Sequence, residues 1–125
     1  GKPTPGIGFA AGIERFLIAM EQSNYDAKKF NPDVYFVCAD NKALSKSIVI
    51  SSRLRSLNLK VVSDTLRRSM KSQFREANKL KVKFALILGE DEINNSTITL
   101  KDFTKGTQKT IPQSEVINFF EDLTI

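Results

Sequence analysis

The chain has 125 residues, 41% of them hydrophobic, and carries 19 Lys and Arg against 14 Asp and Glu, with one cysteine and no histidine. This length and composition are typical of one globular domain with a short attached piece, and the absence of histidine excludes Ser-His and Cys-His catalysis and leaves a zinc site without its usual ligands. No apolar run approaches the roughly 18 residues of a membrane span and no signal pattern opens the chain, so we expect a cytoplasmic protein with no membrane partner.

A glycine-rich segment comes first, with Gly6, Gly8 and Gly12 close together and Arg15 soon after them. Glycine lets a backbone approach a flat or charged group, and arginine offers a planar set of donors to phosphate, so the segment is predicted to face a ligand. Tight packing of the glycines is the structural alternative. The loose G-x-G-x-x-G/A dinucleotide pattern is also present, but only Pro3-Thr4-Pro5 precedes it, and that motif needs a preceding strand.

Apolar residues at three- and four-residue spacing then predict a short helix over residues 12–21. Residues 22–32, QSNYDAKKFNP, are polar and aperiodic and end in Asn-Pro, which is typical of a linker. We therefore predict a first segment over residues 1–21, a linker over residues 22–32 and a domain over residues 33–125.

The domain begins with alternating strands and helices. Strands are predicted over residues 33–39, 59–62 and 82–88, and helices from about 43 to 58 and from about 66 to 81. The second helix is expected to bury Leu66, Met70, Phe74, Ala77 and Leu80. Cys38 lies in the first strand and is predicted to pack in the core rather than act as a nucleophile. This order of elements favours parallel pairing through right-handed crossovers.

The remainder of the domain is predicted to continue with a hairpin and a helix. Turn residues separate strands over 96–101 and 107–111, and Pro112 and Ser114 open a last helix. Its buried face is expected to consist of Val116, Ile117, Phe119, Phe120 and Leu123. The fold class is therefore α/β: a mixed five-stranded sheet with three helices, preceded by the glycine-rich segment and its helix.

Two parts of the sequence resemble one known family. Residues 6–15, GIGFAAGIER, fit the pattern G-x-G-F-A-x-G-x-E-R and resemble motif 3 of class II aminoacyl-tRNA synthetases, in the form typical of the histidyl-tRNA synthetase family. Three further stretches are similar to that family's C-terminal anticodon-binding domain: KALSKSIVISSRLRSLNLKVVSD, LRRSMKSQFREANKLKVKFALILGEDE and STITLKDFTKGTQKTIP. This second resemblance spans residues 33–125, and the two matches follow the order that the family uses.

The resemblance implies that Gly8, Gly12 and Arg15 bind ATP, with Arg15 as the catalytic residue that holds the γ-phosphate. Motifs 1 and 2 supply the rest of such a site and do not occur in these 125 residues. This part alone is therefore expected to be inactive and to need no cofactor. The full-length enzyme is implied to use ATP and Mg²⁺, to charge tRNA(His) with histidine and to act as a cytoplasmic homodimer. The partner implied for this part is the anticodon stem-loop of tRNA(His).

Positive charge is concentrated between Arg53 and Lys83, where ten basic residues stand against two acidic ones. Arg68, Lys71, Arg75 and Lys79 recur at helical spacing and are expected to share one face, which in an isolated helix would be only a solvated face. The resemblance implies an RNA-facing surface nearby, and side chains at strand ends suit the reading of unpaired bases. The RNA-binding candidates are Arg67, Arg68, Lys71, Arg75, Glu90, Lys101 and Asp102. The acidic run at 90–92 lacks metal-ligand spacing, so no metal site is predicted there.

Two alternatives stay open. The domain fold is shared with the prolyl, threonyl and glycyl-tRNA synthetases, although the F-A-x-G-x-E-R form of motif 3 disfavours them. The other alternative is a synthetase-like regulator that has lost aminoacylation and acts as a non-catalytic RNA-binding or protein-binding module. Residues upstream of Gly1 would separate the second alternative from an enzyme, because the chemistry requires an intact motif 2 arginine and histidine-binding loops.

Overall fold

Residues 1–25 and 30–124 are described by the computed structural model of the chain, which divides into two units, Gly1–Phe30 and Asn31–Ile125. The first unit consists of an irregular glycine-rich segment and helix α1 (Ile13–Gln22), which confirms the predicted helix. The division between the units falls within the predicted linker, whose residues 26–29 lie outside the described residues. The three-part division of the chain given above stays a prediction.

The second unit is built on one mixed sheet of five strands. The strands are β1 (Val34–Cys38), β2 (Val61–Ser63), β3 (Phe84–Leu88), β4 (Thr97–Asp102) and β5 (Thr107–Pro112). Their order is β2-β1-β3-β4-β5, with β1 parallel to both β2 and β3, and with β4 antiparallel to β3 and β5. The predicted mixed five-stranded sheet is therefore confirmed.

Three longer helices cover the sheet of the second unit, as predicted: α2 (Asn41–Ser56), α3 (Met70–Lys79) and α5 (Val116–Thr124). A short helix, α4 (Glu90–Asn94), follows β3, and a 3-10 turn over Gln113–Glu115 precedes α5. The short helix α4 was not predicted, because its acidic sequence is also that of a solvated loop. Its first turn is stabilised by Glu92, whose carboxylate accepts a hydrogen bond from the Gly89 backbone N–H at 2.9 Å.

Two layers of apolar side chains pack against the sheet. Val34 and Phe36 of β1 lie in the layer shared with α2 and α5, whereas Tyr35 and Val37 lie in the layer shared with α3. Successive side chains of a strand point to opposite faces, so a strand that is covered on both faces has a continuous apolar sequence. All five residues of β1 are buried, and Cys38 packs in the core as predicted.

Helix α3 begins four residues later than its apolar spacing predicted, and this corrects the prediction for Leu66. Leu66 is 73% exposed rather than buried. The helix instead begins after Ser69, whose hydroxyl accepts from the Ser72 N–H at 3.4 Å. Leu123 in α5 was also predicted to be buried, and it is 50% exposed near the end of the chain.

The two edges of the sheet are unlike. Strand β2 forms one edge and has three residues. Strand β5 forms the other edge, and all its side chains except that of Ile111 are exposed. On this outer strand the Nζ of Lys109 lies 4.2 Å from the centre of the Phe119 ring, and the strand ends at Pro112, which has no backbone N–H to donate.

Candidate nucleic-acid interface

Helix α3 carries a row of exposed basic side chains. Lys71, Arg75 and Lys79 follow one another at four-residue intervals and are exposed, while Gln73 and Ala77 on the same helix are buried. This spacing places the three cations on the side of the helix that faces away from the sheet. The expected basic face is present for these three residues, which we call the α3 row.

Arg68 is not part of that face, because it precedes the helix. Its Nε lies 2.6 Å from Asp64 Oδ1 and its Nη1 lies 3.5 Å from Glu76 Oε2. Asp64 also accepts from the Arg68 backbone N–H at 2.7 Å. Asp64 and Glu76 are the two acids of the basic segment, so both of its carboxylates are engaged by Arg68. Within the described ranges, the α3 row is left without an ion pair.

Asp64 and Arg68 stabilise each other in their charged forms. Burial alone would raise the pKa of Asp64, whose side chain is 1% exposed, but the backbone and side-chain hydrogen bonds from Arg68 hold that pKa below its ordinary value. The hydrogen bond to Asp64 raises the pKa of Arg68 in turn. Arg68 therefore contributes first to folding the segment between β2 and α3, and its role in binding RNA stays a prediction.

We expect Asp64→Asn to remove an acid-sensitive part of the stability. A carboxyl whose pKa is lower in the folded state than the unfolded value of about 3.9 stabilises the fold above that pH, and its contribution is lost as the pH falls through the folded pKa. The variant should lose about 1–3 kcal/mol of unfolding free energy at pH 7. The difference from the parent chain should shrink as the pH falls below about 4, in thermal or denaturant unfolding measured at several pH values. Asp91→Asn is the control, because Asp91 is exposed; equal losses at pH 7 and at low pH would contradict the assigned role of Asp64.

Gln73 joins α3 to the end of β1. Its Oε1 accepts from the Cys38 N–H at 2.9 Å, and its Nε2 donates to the carbonyls of Cys38 at 2.8 Å and Arg68 at 2.7 Å. Strand β2 pairs with β1 only as far as Phe36, so the Gln73 amide takes the place of a strand neighbour for Cys38. Gln73 is 2% exposed and was not singled out from the sequence, although a polar residue inside an apolar stripe was a usable signal.

Arg67 lies at the tip of the segment that Arg68 and Gln73 hold in place. It is exposed and has a φ of 55°, a left-handed conformation that is uncommon outside glycine. Its guanidinium has no hydrogen bond or ion pair with any residue in the described part of the chain. The structure thus separates two adjacent arginines: one is engaged internally and the other is available to a ligand.

Lys101 lies on β4 against aromatic rings. Its Nζ is 5.6 Å from the ring centre of Phe74 on α3 and 5.3 Å from that of Phe103. Cation-π contacts at this distance hold an ammonium group in place without neutralising its charge. Lys101 therefore lies on the same face of the sheet as α3, the helix that carries the α3 row.

The strand-end candidates do not form one cluster. Glu90 is exposed at the carboxyl end of β3, whereas Asp102 is paired with Phe84 at the amino end of that strand, roughly 13 Å away by the rise per residue. Asp102 is buried, and its Oδ1 accepts from the Thr104 hydroxyl and from the backbone N–H groups of Thr104 and Lys105. The Thr104 hydroxyl bond in particular lowers the pKa of Asp102. The visible role of Asp102 is therefore to shape the turn between β4 and β5.

A cleft of about 210 Å³ opens at the carboxyl ends of β1 and β2. Cys38, Leu44 and Gln73 contribute to its walls, and the exposed residues Asp40, Asn41 and Arg67 contribute to its rim. Burial raises the pKa of the Cys38 thiol, so this side chain is a neutral wall and not a nucleophile. The sequence around Asp40 and Asn41 does not indicate a cleft, because a cleft built from three separate segments leaves no local pattern.

In the first unit, the predicted ATP-binding residues are exposed. A side chain added at Gly8 would meet no atom within 4 Å, and one added at Gly12 would meet only Arg15 at ordinary contact distance. The guanidinium of Arg15 has no ion pair or hydrogen bond among residues 1–25 and 30–124, so it fits a contact with a phosphate. The binding of ATP by these three residues stays a prediction.

Neither a metal-ligand cluster nor a membrane-spanning helix occurs among the residues that the structure describes. They contain no group of three or more acidic or cysteine side chains placed to hold a metal ion. Their helices all fall short, in length or in apolar character, of what a membrane crossing requires.

Comparison with known proteins identifies the family to which the second unit belongs. Residues 33–123 match the family model described as the anticodon binding domain. The chain is 40% identical over 114 residues to the histidine-tRNA ligase of Natranaerobius thermophilus, covering 90% of this chain and 27% of the relative. It is 38% identical over 125 residues to the histidine-tRNA ligase of Vesicomyosocius okutanii, covering 98% of this chain and 30% of the relative.

A solved structure is also similar in fold to this chain. The crystal structure of apo histidyl-tRNA synthetase from S. aureus superposes with a TM-score of 0.68 at 29% identity, over 86% of this chain and 32% of that one. The chain thus spans less than a third of the length of the curated relatives it matches. The resemblance noted from the sequence is confirmed.

Proposed function

Since the chain belongs to the anticodon-binding domain family, we propose that it binds the anticodon stem-loop of tRNA(His) as part of a histidine-tRNA ligase. The observation that carries the proposal is the α3 row: three exposed cations on a segment whose two carboxylates are both engaged by Arg68. A surface of this kind attracts phosphates, since the field of the cations is not cancelled from within.

The proposed interface has two kinds of contact. Lys71, Arg75 and Lys101 contact phosphates, which positions the RNA but carries little sequence information. Glu90 and Arg67 lie near the carboxyl ends of the parallel strands, where an exposed carboxylate and a free guanidinium can accept from and donate to unpaired bases. Arg68 and Asp102 act mainly as positioning residues, because Arg68 bonds to Asp64 and Glu76 and the Oδ1 of Asp102 accepts three bonds within its turn.

For the longer protein we propose the activity of its relatives: charging tRNA(His) with histidine, in the cytoplasm and as a homodimer. Bound ATP would supply the energy that activates the histidine carboxylate. In this chain Arg15 would hold a phosphate of ATP, and Gly8 and Gly12 would leave room for the nucleotide. Mg²⁺ would accompany those phosphates as a cofactor of the longer protein. Histidine and ATP are thus proposed partners of the longer protein, and tRNA is the partner of this part.

The test is titration of the chain with the tRNA(His) anticodon stem-loop and with a stem-loop of the same length and composition whose loop is scrambled. We expect about tenfold tighter binding of the first RNA, which corresponds to about 1.4 kcal/mol, and the ratio should persist as salt is raised. Equal affinities with a steep dependence on salt would show that the surface binds polyanions without decoding them, and would contradict the proposal.

A further inference from the structure

The two helices on one face of the sheet carry opposite charges. Helices α2 and α5 are neighbours, and both contribute to the apolar layer that contains Val34 and Phe36. Helix α2 carries four basic side chains and no acidic one, whereas α5 and the 3-10 turn before it carry three acidic side chains and no basic one. A positive helix and a negative helix therefore lie side by side on this face of the second unit.

Most of these charges are exposed and unpaired. On α2, Arg55 donates to the Val61 carbonyl at 2.8 Å. The other three cations and the three acids are exposed, and none forms an ion pair with a residue in the ranges 1–25 and 30–124. They are Lys42, Lys46 and Arg53 on the positive helix, and Glu115, Glu121 and Asp122 on or just before the negative one.

Exposed apolar side chains accompany the cations of α2. Val49 is 54% exposed and lies three residues after Lys46 and four before Arg53, so these three side chains share one side of the helix. Ile48 beside them is 60% exposed. Apolar groups between unpaired cations are what a protein surface of opposite charge can cover, whereas a bare polyanion would leave them in water.

The spacing of the charges is the same on both helices. Lys46 and Arg53 are seven residues apart, and so are Glu115 and Asp122. Seven helical residues make two turns, so each pair projects from one side of its helix with its members about 10 Å apart. The two helices thus carry matching pairs of opposite sign.

Both helices also run in the same direction across the sheet. Helix α2 begins just after the carboxyl end of β1 and ends near the amino end, where β2 begins. Helix α5 follows Pro112, which pairs with Thr97 on the carboxyl-end side of β3, and it reaches the amino end of β3, where the rings of Phe120 and Phe84 lie 5.3 Å apart. The cation pair and the acid pair therefore lie at similar levels along the strands.

We propose that this face binds the same face of a second copy of the chain, about a two-fold axis that lies parallel to the two helices and midway between them. Such an axis keeps every residue at its level and places α2 of one copy on α5 of the other. Lys46 then faces Glu115 of the second copy, and Arg53 faces Glu121 and Asp122. A two-fold axis across the helices would instead set α2 on α2 and bring like charges together.

This contact is expected to be weak. Helix α2 is about 24 Å long and two adjacent helices are together about 20 Å wide, so the face offers about 500 Å² per copy. A total of about 1,000 Å² lies at the small end of specific interfaces, where complexes are transient. We therefore expect a reversible dimer that is favoured by high protein concentration and weakened by salt, since salt screens the facing charges.

The test is sedimentation velocity of the chain without RNA, at rising concentration and low salt, with charge-reversed variants. Lys46→Glu with Arg53→Glu makes α2 acidic, and Glu121→Lys with Asp122→Lys makes α5 basic. Each double variant should raise the dimer Kd by about tenfold or more, because like charges then face each other. The variant with all four substitutions should dimerise again, because opposite charges face each other once more and the net charge is still +5.

A mixture of the two double variants provides a second form of the same test. One variant has two acidic helices and the other has two basic helices, so the mixture should form a heterodimer although neither variant pairs with itself. This measurement decides the question even if the fourfold variant fails to fold, and circular dichroism shows whether each variant is folded.

Two controls address other causes of association. Lys81→Glu with Lys105→Glu makes the same change of net charge at exposed positions outside α2 and α5, and it should not weaken the dimer. Phe16→Ser with Leu17→Ser removes exposed apolar side chains from α1 and should leave the dimer Kd unchanged.

The outcomes separate this proposal from the binding of RNA. A parent chain that is monomeric at every concentration, or a mixture of the double variants that forms no heterodimer, would overturn the proposed interface. Association that survives both charge reversals and is abolished by the α1 variant would also overturn it and would assign the contact to α1. None of these results bears on the stem-loop titration, so anticodon binding is judged independently.

Discussion

Replacing Lys71 and Arg75 together by alanine is expected to weaken binding of the anticodon stem-loop about tenfold to thirtyfold. Both side chains are exposed on α3, and residues in the described ranges neutralise neither of them. A contact between an exposed cation and a phosphate is worth about 1 kcal/mol, and two such contacts give this loss. The slope of log K against log salt should fall by about 1.4, measured by fluorescence anisotropy between low and moderate salt.

The matched control is the double variant Lys46→Ala and Arg53→Ala. It removes the same number of charges from exposed positions on α2, which packs on the opposite face of the sheet from α3. Its long-range effect on the affinity should be small, because charges farther apart than about 10 Å are screened at 0.1 M salt. Equal losses in the two double variants would mean that net charge alone draws RNA to the domain, and the α3 row would lose its assigned role.

Phe120→Ala is expected to lower the unfolding free energy of the domain by about 3–5 kcal/mol. Phe120 is 1% exposed and lies edge-to-face with Phe84 at 5.3 Å and with Phe119 at 5.2 Å between ring centres. Truncation leaves a cavity and removes both aromatic contacts. Urea unfolding followed by circular dichroism measures the change, and the midpoint should shift with little change in the slope.

Leu123→Ala provides the comparison for that loss. Leu123 lies three residues further along the same helix and is 50% exposed, so truncating it should cost well under half as much. A comparable loss in both variants would indicate that the end of α5 is packed more tightly than the structure has it.

The strands were predictable because their signals are local. β1 is a continuous apolar run, which indicates a strand covered on both faces, and β4 alternates in the manner of a strand covered on one. The start of α3 was mispredicted for a tertiary reason. The spacing of Leu66 continues the apolar stripe of the helix, but Asp64 binds the Arg68 backbone and side chain and keeps the intervening residues out of the helix.

The positive charge of the candidate interface was predictable from the sequence, but the positions of several of its residues were not. The exposure of the α3 row follows from helical periodicity, so Lys71 and Arg75 could be named in advance. The different environments of Arg67 and Arg68 could not be predicted from the sequence, because they depend on which arginine Asp64 contacts in three dimensions. The same holds for the separation of Glu90 from Asp102, which depends on the register of β4 against β3.

The unequal edges of the sheet bear on whether further copies of the domain can pair with it. A long, flat, uncharged outer strand is a template on which further copies can add in cross-β fashion. Here the β2 edge offers only three residues, and β5 carries Lys109 and closes with Pro112, which interrupts any continuing ladder. Neither border of the sheet is suited to seeding amyloid, even with its outer strand exposed to water.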